Sequence, residues 1–289
     1  MRPEPVKLRS AARPARFGIA VLALGLAVMF WAFWWEPQRL VVVPTDLELP
    51  AWPKPLAGLR VALLSDLHIG SPHWDLRALE QLVDRTNDEH PDLIVLAGDY
   101  QINGVPGGSF VEAEPIAARL GQLRAPLGVF AVLGNHDWWN DGERTRSALT
   151  AHKVEVLEER AVAVDYRGGR FYVAGLADQM TRHSDPRAVL ATVPTGAPTL
   201  VVVNEPDVFA TFPELGISPA LTLAGHTHGG QVWLPVLGRR VVPSEYGERY
   251  AYGHVEEAGR HLFVTSGVGT SVLPVRFMVP PEIAILNLR

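Results

Sequence analysis

RVALLSDLH, residues 60–68, runs its apolar residues Val61 to Leu64 almost directly into a carboxylate and an imidazole, Asp66 and His68. An unbroken apolar run of this length suits a strand covered on both faces, and the polar pair then sits where the strand leaves its sheet. Four later stretches repeat the device: DLIVLAGD (92–99), GVFAVLGNHD (128–137), TLVVVNEPD (199–207) and LTLAGHTHGG (221–230). Between the first two, WDLRALEQLVDRTN (74–87) spaces Leu76, Leu79, Leu82 and Val83 as one helix face, and Phe110 to Leu123 reads likewise. The first half is therefore β-α-β-α-β. Further on, VAVDYRGGRFYVAGL (162–176) predicts a hairpin turning at Gly168-Gly169, and HLFVTSG (261–267) and EIAILNL (282–288) predict closing strands. Ligands of layered α/β sheets bind where strand C-terminal ends meet, so the five polar clusters are expected to converge on one spot.

Composition narrows the chemistry. With 47% hydrophobic and 20% charged residues the 289-residue chain is globular, and a formal charge of −5 provides no basic field, so nucleic acid is not an expected partner. The absence of cysteine excludes disulfides, thiolate zinc sites and cysteine nucleophiles; any metal is left to His, Asp, Glu and Asn.

FGIAVLALGLAVMFWAFWW (17–35) is uncharged and long enough to cross a bilayer as a helix. Arg2, Lys7, Arg9, Arg13 and Arg16 precede it, against only Arg39 and Lys54 shortly after it. The positive-inside rule makes residues 1–16 a basic cytoplasmic tail and 17–35 a single-pass anchor in the inner (cytoplasmic) membrane, with the rest on the outer, periplasmic side. Trp31, Trp34 and Trp35 mark the outer headgroup level, and no A-x-A-like site lies just beyond them, so the anchor reads as uncleaved. Residues 36–57 hold Pro37, Pro44, Pro50, Pro53 and Pro55 and read as a proline-rich tether with a short β-type run at Leu40 to Val43; the catalytic domain is expected over 58–289.

Taken singly, each polar cluster reads blandly: D-x-H as a capped turn, Asp99 as an N-cap, G-N-H-D as a turn in which Asn and Asp satisfy the backbone. Together they are not bland, because carboxylates and imidazoles gathered without compensation would be costly to bury. In this order, Asp66-Leu67-His68, Gly98-Asp99, Gly134-Asn135-His136-Asp137 and Gly225-His226-Thr227-His228 resemble the signature of the calcineurin-like metallophosphoesterases, from about Gly58 to the C-terminus. The resemblance implies a layered α/β/β/α sandwich of two mixed sheets. It also implies two divalent metal ions, Mn, Fe, Zn or Mg: one held by Asp66, His68 and His228, the second by Asn135 and His226, with Asp99 bridging. His136 would face the substrate and protonate or stabilise the leaving oxygen, with Asp137 either orienting His136 or capping a helix.

One position departs from the family pattern. Where the family has a histidine after the fourth strand, this chain has Asn204, followed by Glu205-Pro206-Asp207. An amide oxygen binds a hard cation but donates less than imidazole, so the second metal is either retained through Asn204 or impaired. Trp74, Trp138 and Trp139 are candidates for contact with acyl chains or for cover at the core's edge; Arg239, Arg240 and Arg276 are candidates for anion contact or ordinary surface residues. The closing stretches HTHGGQVWLP and SGVGTSVLPVRFMVPPEI look like a membrane-associated branch that includes UDP-2,3-diacylglucosamine pyrophosphatases of lipid A synthesis. The expected function is metal-dependent hydrolysis of a phosphodiester, pyrophosphate or phosphomonoester bond in a phosphorylated small-molecule or lipid substrate. The competing expectation is a non-catalytic metal- or lipid-binding membrane protein with an impaired second site.

Overall fold

The computed structural model describes residues 12–289, with side chains from residue 16; the greater part of the expected basic tail, 1–16, lies outside the described residues. The chain opens with helix α1 (Ala12–Phe30), followed by a wider π turn, Trp31–Trp35. Strands β1 (Val41–Leu47), β2 (Leu59–Leu64), β3 (Leu93–Leu96), β4 (Val129–Ala131) and β5 (Glu155–Val156) come next. They are followed by β6 (Arg160–Tyr166), β7 (Gly169–Gly175), β8 (Thr199–Val202), β9 (Leu221–Ala224), β10 (Gly253–Glu257), β11 (Arg260–Val264) and β12 (Glu282–Leu288). Two six-stranded mixed sheets result, ordered β1-β12-β2-β3-β4-β5 and β10-β11-β9-β8-β7-β6.

The period-2 alternation of buried strands builds the layers. Val61 and Leu63 of β2 face Phe171, Leu200 and Leu221 of the other sheet, forming a core between the sheets. Ala62 and Leu64 point the opposite way, onto the helices Leu76–Asp88 and Ala113–Leu120. The first of these helices starts at Asp75, whose Oδ1 accepts from the Arg77 and Ala78 amides, so a cap fixes where the β2 loop ends. On the outer face of the second sheet, Ala174, Val201 and Leu262 pack with Phe209 and Phe212. The architecture is the expected α/β/β/α sandwich.

Two readings are corrected. Residues 36–57 belong to the folded domain rather than forming a tether to it: the β-type run expected at Leu40 to Val43 is the start of β1, which lies parallel to β12, from Val41 opposite Glu282 to Leu47 opposite Leu288. Leu47, Leu49, Trp52 and Leu56 are buried in the inter-sheet core. The prolines misled because β1 is an edge strand, where a residue without an N–H, Pro44, is tolerated. The hairpin also turns one residue early, on Arg167 and Gly168 (φ 49° and 81°), with Gly169 already paired to Tyr166. Positive φ at both turn positions suits the right-handed twist of the flanking strands.

Strands β2, β3 and β4 are mutually parallel, as are β7, β8 and β9. The C-terminal ends of β2, β3, β4, β8 and β9 carry the five polar clusters.

Candidate metal centre

Five of the expected ligands sit on backbone that disfavours side chains. Asp66, His68, Asp99, His226 and His228 all have positive φ (52°, 43°, 59°, 67° and 51°), which non-glycine residues seldom adopt. Such strain persists only where the surroundings over-determine it, and it clusters at functional sites. Here the surroundings are hydrogen bonds between strand ends. The His68 amide donates to the Asp99 carbonyl (3.0 Å), and Asp66 accepts the His226 amide on both carboxylate oxygens (3.0 and 2.9 Å). Asp66 is also clamped between Gly225 and Gly267: a Cβ on the first would fall 2.5 Å from Asp66 Oδ2, and on the second 2.7 Å from Asp66 Cβ. Gly225→Ala, whose Cβ would also collide with Ser65 Oγ, is therefore expected to displace Ser65 and Asp66 together, lowering divalent-metal content with a loss of melting temperature; unchanged metal content by elemental analysis would contradict this.

The side chains meet as two overlapping groups. Ligand atoms of Asp66, His68 and His228 lie within 4.8 Å of one another, as do those of His68, Asp99 and His136. His228 Nε2 is 3.6 Å from Asp66 Oδ1, and His68 Nε2 is 3.6 Å from Asp99 Oδ2. The His68 ring lies 4.7 Å, centroid to centroid, from both His136 and His228. Asn204 approaches from β8: its Nδ2 donates to the Ala97 carbonyl (2.7 Å), which leaves Oδ1 as the free end.

A cation fits this donor set. His68 Nε2, Asn135 Oδ1, Asn204 Oδ1 and His226 Nδ1 are all buried without a hydrogen-bond partner among the described residues, and His228 turns Nε2 toward Asp66. Unpartnered buried polar atoms are costly, and so many oxygen and imidazole atoms together suit a divalent ion. The electrostatics agree. Burial, then the charge of Asp99, pushes Asp66 up to about 7; burial and the charge of Asp178 push Asp99 up to about 8. Burial drives His68 and His228 down, and His226 down to about 4, so the imidazoles are neutral and able to ligate.

These shifts fix a pH dependence for the metal-free protein. The raised carboxyls bind more protons folded than unfolded, so their stabilisation is complete below about 3.8 and is lost as pH rises through 7 to 8. The lowered imidazoles act oppositely, but only below their ordinary 6.5. From pH 6.5 to about 8 Asp66 and Asp99, joined by the likewise raised Asp137 and Glu205, act without opposition from the imidazoles, so metal-free melting temperature should fall by several degrees, at roughly 1 kcal/mol per pH unit and group. Divalent metal should flatten that slope in a thermal-shift series; an unchanged slope would contradict a cation at these carboxylates.

His136 is half-buried, its amide donating to Asp99 Oδ1 (2.9 Å) and its ring lying against Trp139 (4.7 Å). Burial and the neighbouring His68 and His226 hold it down at about 3, so at neutral pH it is an uncharged N–H donor. Asp137 does not bond the His136 ring. Its carboxylate accepts the amides of Asp99, Tyr100 and Gly134, each at 2.9 Å, so it acts as the cap that joins the β3 and β4 loops.

Other candidates resolve clearly. Arg276 is fully buried, donating to the carbonyls of Ser266, Gly269 and Val279, and is unavailable to an anion. Trp74 is buried, bonding the Pro37 carbonyl, and Trp138 packs against the core with Arg182 above its ring; Trp139 is exposed at the site's edge. Arg239 donates to the Gly229 carbonyl, and Arg240 is exposed. Asp178 escaped sequence reasoning, and it meets Glu205, the neighbour of Asn204. Both are buried, each with one unpartnered oxygen, and burial plus the hydrogen bond and charge of Asp178 push Glu205 up to about 10. Asp178 also acts on Asp99 and His226. A signal existed: FYVAGLAD, at the end of β7, is a sixth instance of the strand-end device.

Comparison with known proteins agrees with this geometry. YkuE of Bacillus subtilis, described as an uncharacterized metallophosphoesterase, is 28% identical over 261 residues, covering 90% of this chain and 89% of its own. A zebrafish (Danio rerio) transmembrane protein with a metallophosphoesterase domain is 28% identical over 88% of this chain and 58% of its own, and the phosphodiesterase YaeI of Escherichia coli is 28% identical over 80% and 83%. Residues 59–230 match the calcineurin-like phosphoesterase family, a span that runs from β2 through the His226 and His228 loop. The chain belongs to that family.

Proposed function

We propose that the chain is a dinuclear metal-dependent phosphodiesterase anchored by α1, acting on a lipid-linked or envelope substrate. One observation supports the catalytic part: His68 Nε2, Asn135 Oδ1, Asn204 Oδ1 and His226 Nδ1 are buried without a partner on the loops that follow parallel strands of both sheets, beside the overlapping groups Asp66-His68-His228 and His68-Asp99-His136. Asp66, His68 and His228 would hold one ion and Asn135, Asn204 and His226 the other, with Asp99 between. Cations held there would supply Lewis-acid activation of water and charge neutralisation at the phosphoryl group. The chain's own residues do the rest. Neutral His136 donates a hydrogen bond to the phosphoryl or leaving oxygen, its main chain fixed by Asp99 and its ring steadied by Trp139. Asp137 keeps Asp99 in place through the backbone.

The phosphodiester is favoured by the name of the relative YaeI. Membrane anchoring draws on one helix, spanning Arg16–Gln38 in apolar reach with 6% burial, and on the name of the zebrafish relative. UDP-2,3-diacylglucosamine remains the finer candidate from the closing motifs, opposed by the charge bias that puts the domain on the outer side. The non-catalytic alternative rests on Asn204, and the free, oriented Oδ1 of that residue speaks for a retained ligand.

Purified full-length chain should hydrolyse bis(4-nitrophenyl) phosphate with Mn²⁺, lose the activity to a chelator and regain it with metal. No turnover with any of Mn²⁺, Fe²⁺, Zn²⁺ or Mg²⁺ would favour the non-catalytic reading. Asn204→Ala is expected to lower metal content by about half and to remove one of two side-chain hydrogen bonds to the buried Ala97 carbonyl, the other coming from Ser65 Oγ, costing about 0.5–1.5 kcal/mol. Full metal content in that variant would remove Asn204 from the ligand set.

A further inference from the structure

Beyond Trp35, the described residues expose seven large aliphatic or methionine side chains, and six of them lie in two loops: Val236, Leu237 and Val241 in one, Val272, Leu273 and Met278 in the other. Three of the six, Val236, Val272 and Met278, have positive φ (74°, 63° and 57°), so the backbone holds apolar side chains outward at a conformational cost. The loops form one unit. Gln231 accepts the Ser271 amide (2.7 Å) and donates to the Ser271 carbonyl (3.0 Å), and the Trp233 amide donates to the Phe277 carbonyl (2.9 Å). Neither 232–241 nor 271–278 contains an acidic residue, and Arg240 is exposed among them.

This unit is continuous with the end of the apolar helix. The Arg276 amide donates to the Ala32 carbonyl (2.9 Å), and a cleft of about 540 Å³ is lined by Ala27, Val28 and Trp31 on one side and by Phe277 and Met278 on the other, with Glu36 and Arg39 at its end. Residues 276–278 therefore run back along the helix, past the exposed Trp31 and Trp34, toward its apolar middle. At about 1.5 Å per residue, Val28 lies roughly 9 Å to the apolar side of Trp34, which puts Met278 below the headgroup level that tryptophans mark. At their other side the loops reach the metal ligands: the His68 ring bonds the Thr270 carbonyl (3.2 Å), and the Gln231 amide donates to the His228 carbonyl (2.9 Å).

We propose that the apolar tips of 232–241 and 271–278 insert into the leaflet that α1 enters, holding the metal-ligand rim against lipid headgroups. An apolar surface carrying the exposed Arg240 and contiguous with a helix end, with Glu248 and Glu36 held at its margins by the Arg239 amide and the Trp31 indole, fits an anionic bilayer surface. The inference rests on α1 being a membrane anchor, and its test separates the two. Because the chain has no cysteine, single Val236→Cys, Val272→Cys and Lys153→Cys variants of the full chain can each carry one NBD label in phosphatidylcholine–phosphatidylglycerol vesicles. Lys153 precedes β5, at the opposite end of the sheet from the site. Labels at 236 and 272 should be quenched by doxyl-labelled lipid and be roughly threefold or more less accessible to iodide than the label at 153. If the chain stays with the vesicles through alkaline extraction yet all three labels meet iodide equally, the insertion is wrong and the anchor stands. If the chain is extracted, anchor and insertion fail together.

Discussion

Asp99→Asn is expected to abolish the Mn²⁺-induced rise in melting temperature and to cut hydrolysis by far more than the roughly 10–100-fold that loss of an outer partner of a metal ligand costs. The substitution keeps an oxygen to accept the His136 amide, so the β3 and β4 loops should hold their positions. It also removes a carboxyl that burial and the charge of Asp178 have pushed up to about 8. The metal-free variant should consequently be no less stable than the metal-free parent at neutral pH, while the metal-loaded parent exceeds it. A thermal-shift series with and without Mn²⁺, run beside elemental analysis, measures both. Equal metal content and an equal metal-dependent shift in the variant would take Asp99 out of its bridging place.

His136→Ala should behave in the opposite manner. Metal content and the thermal response to metal stay at the parent level, while kcat for the phosphodiester falls by roughly 10²–10³-fold, the range for a preorganised hydrogen-bond donor to a developing oxyanion. The His136 ring touches His68 and Trp139, but its only bond to Asp99 is through the backbone amide, which alanine retains. Loss of bound metal in His136→Ala would reassign this imidazole to the ligand set, where its proximity to His68 and Asp99 leaves room for it. Parent-level kcat with metal intact would instead remove it from the chemistry.

Much of this centre is legible in the amino-acid sequence because its logic is periodic. A strand buried on both faces has no freedom to hide its polar end, and RVALLSDLH, DLIVLAGD and GVFAVLGNHD announce β2, β3 and β4 together with the polar loop at the end of each. The features that stay hidden depend on partners far away along the chain. Pro44 speaks against a strand until β1 is found at an edge, beside the C-terminal strand. Arg276 reads as a surface cation because nothing local reveals the three carbonyls that enclose it. Asp137 belongs to a motif that places it beside His136, yet the amides it serves come from Asp99 and Tyr100 as well as Gly134. Asp178 ends a sixth strand-end run but has no histidine or asparagine beside it, and its significance emerges only where Glu205 meets it. The left-handed backbone at the ligands has no sequence signature, since Asp and His carry it where glycine is the ordinary choice.

The most direct test of a paired-cation rim is anomalous diffraction at the manganese edge from crystals of the full chain grown with Mn²⁺. Two peaks about 3.5–4 Å apart are expected, one among Asp66, His68 and His228, the other among Asn135, Asn204 and His226, with Asp99 touching both. No peak at saturating Mn²⁺, or one remote from Asp99, would contradict the account.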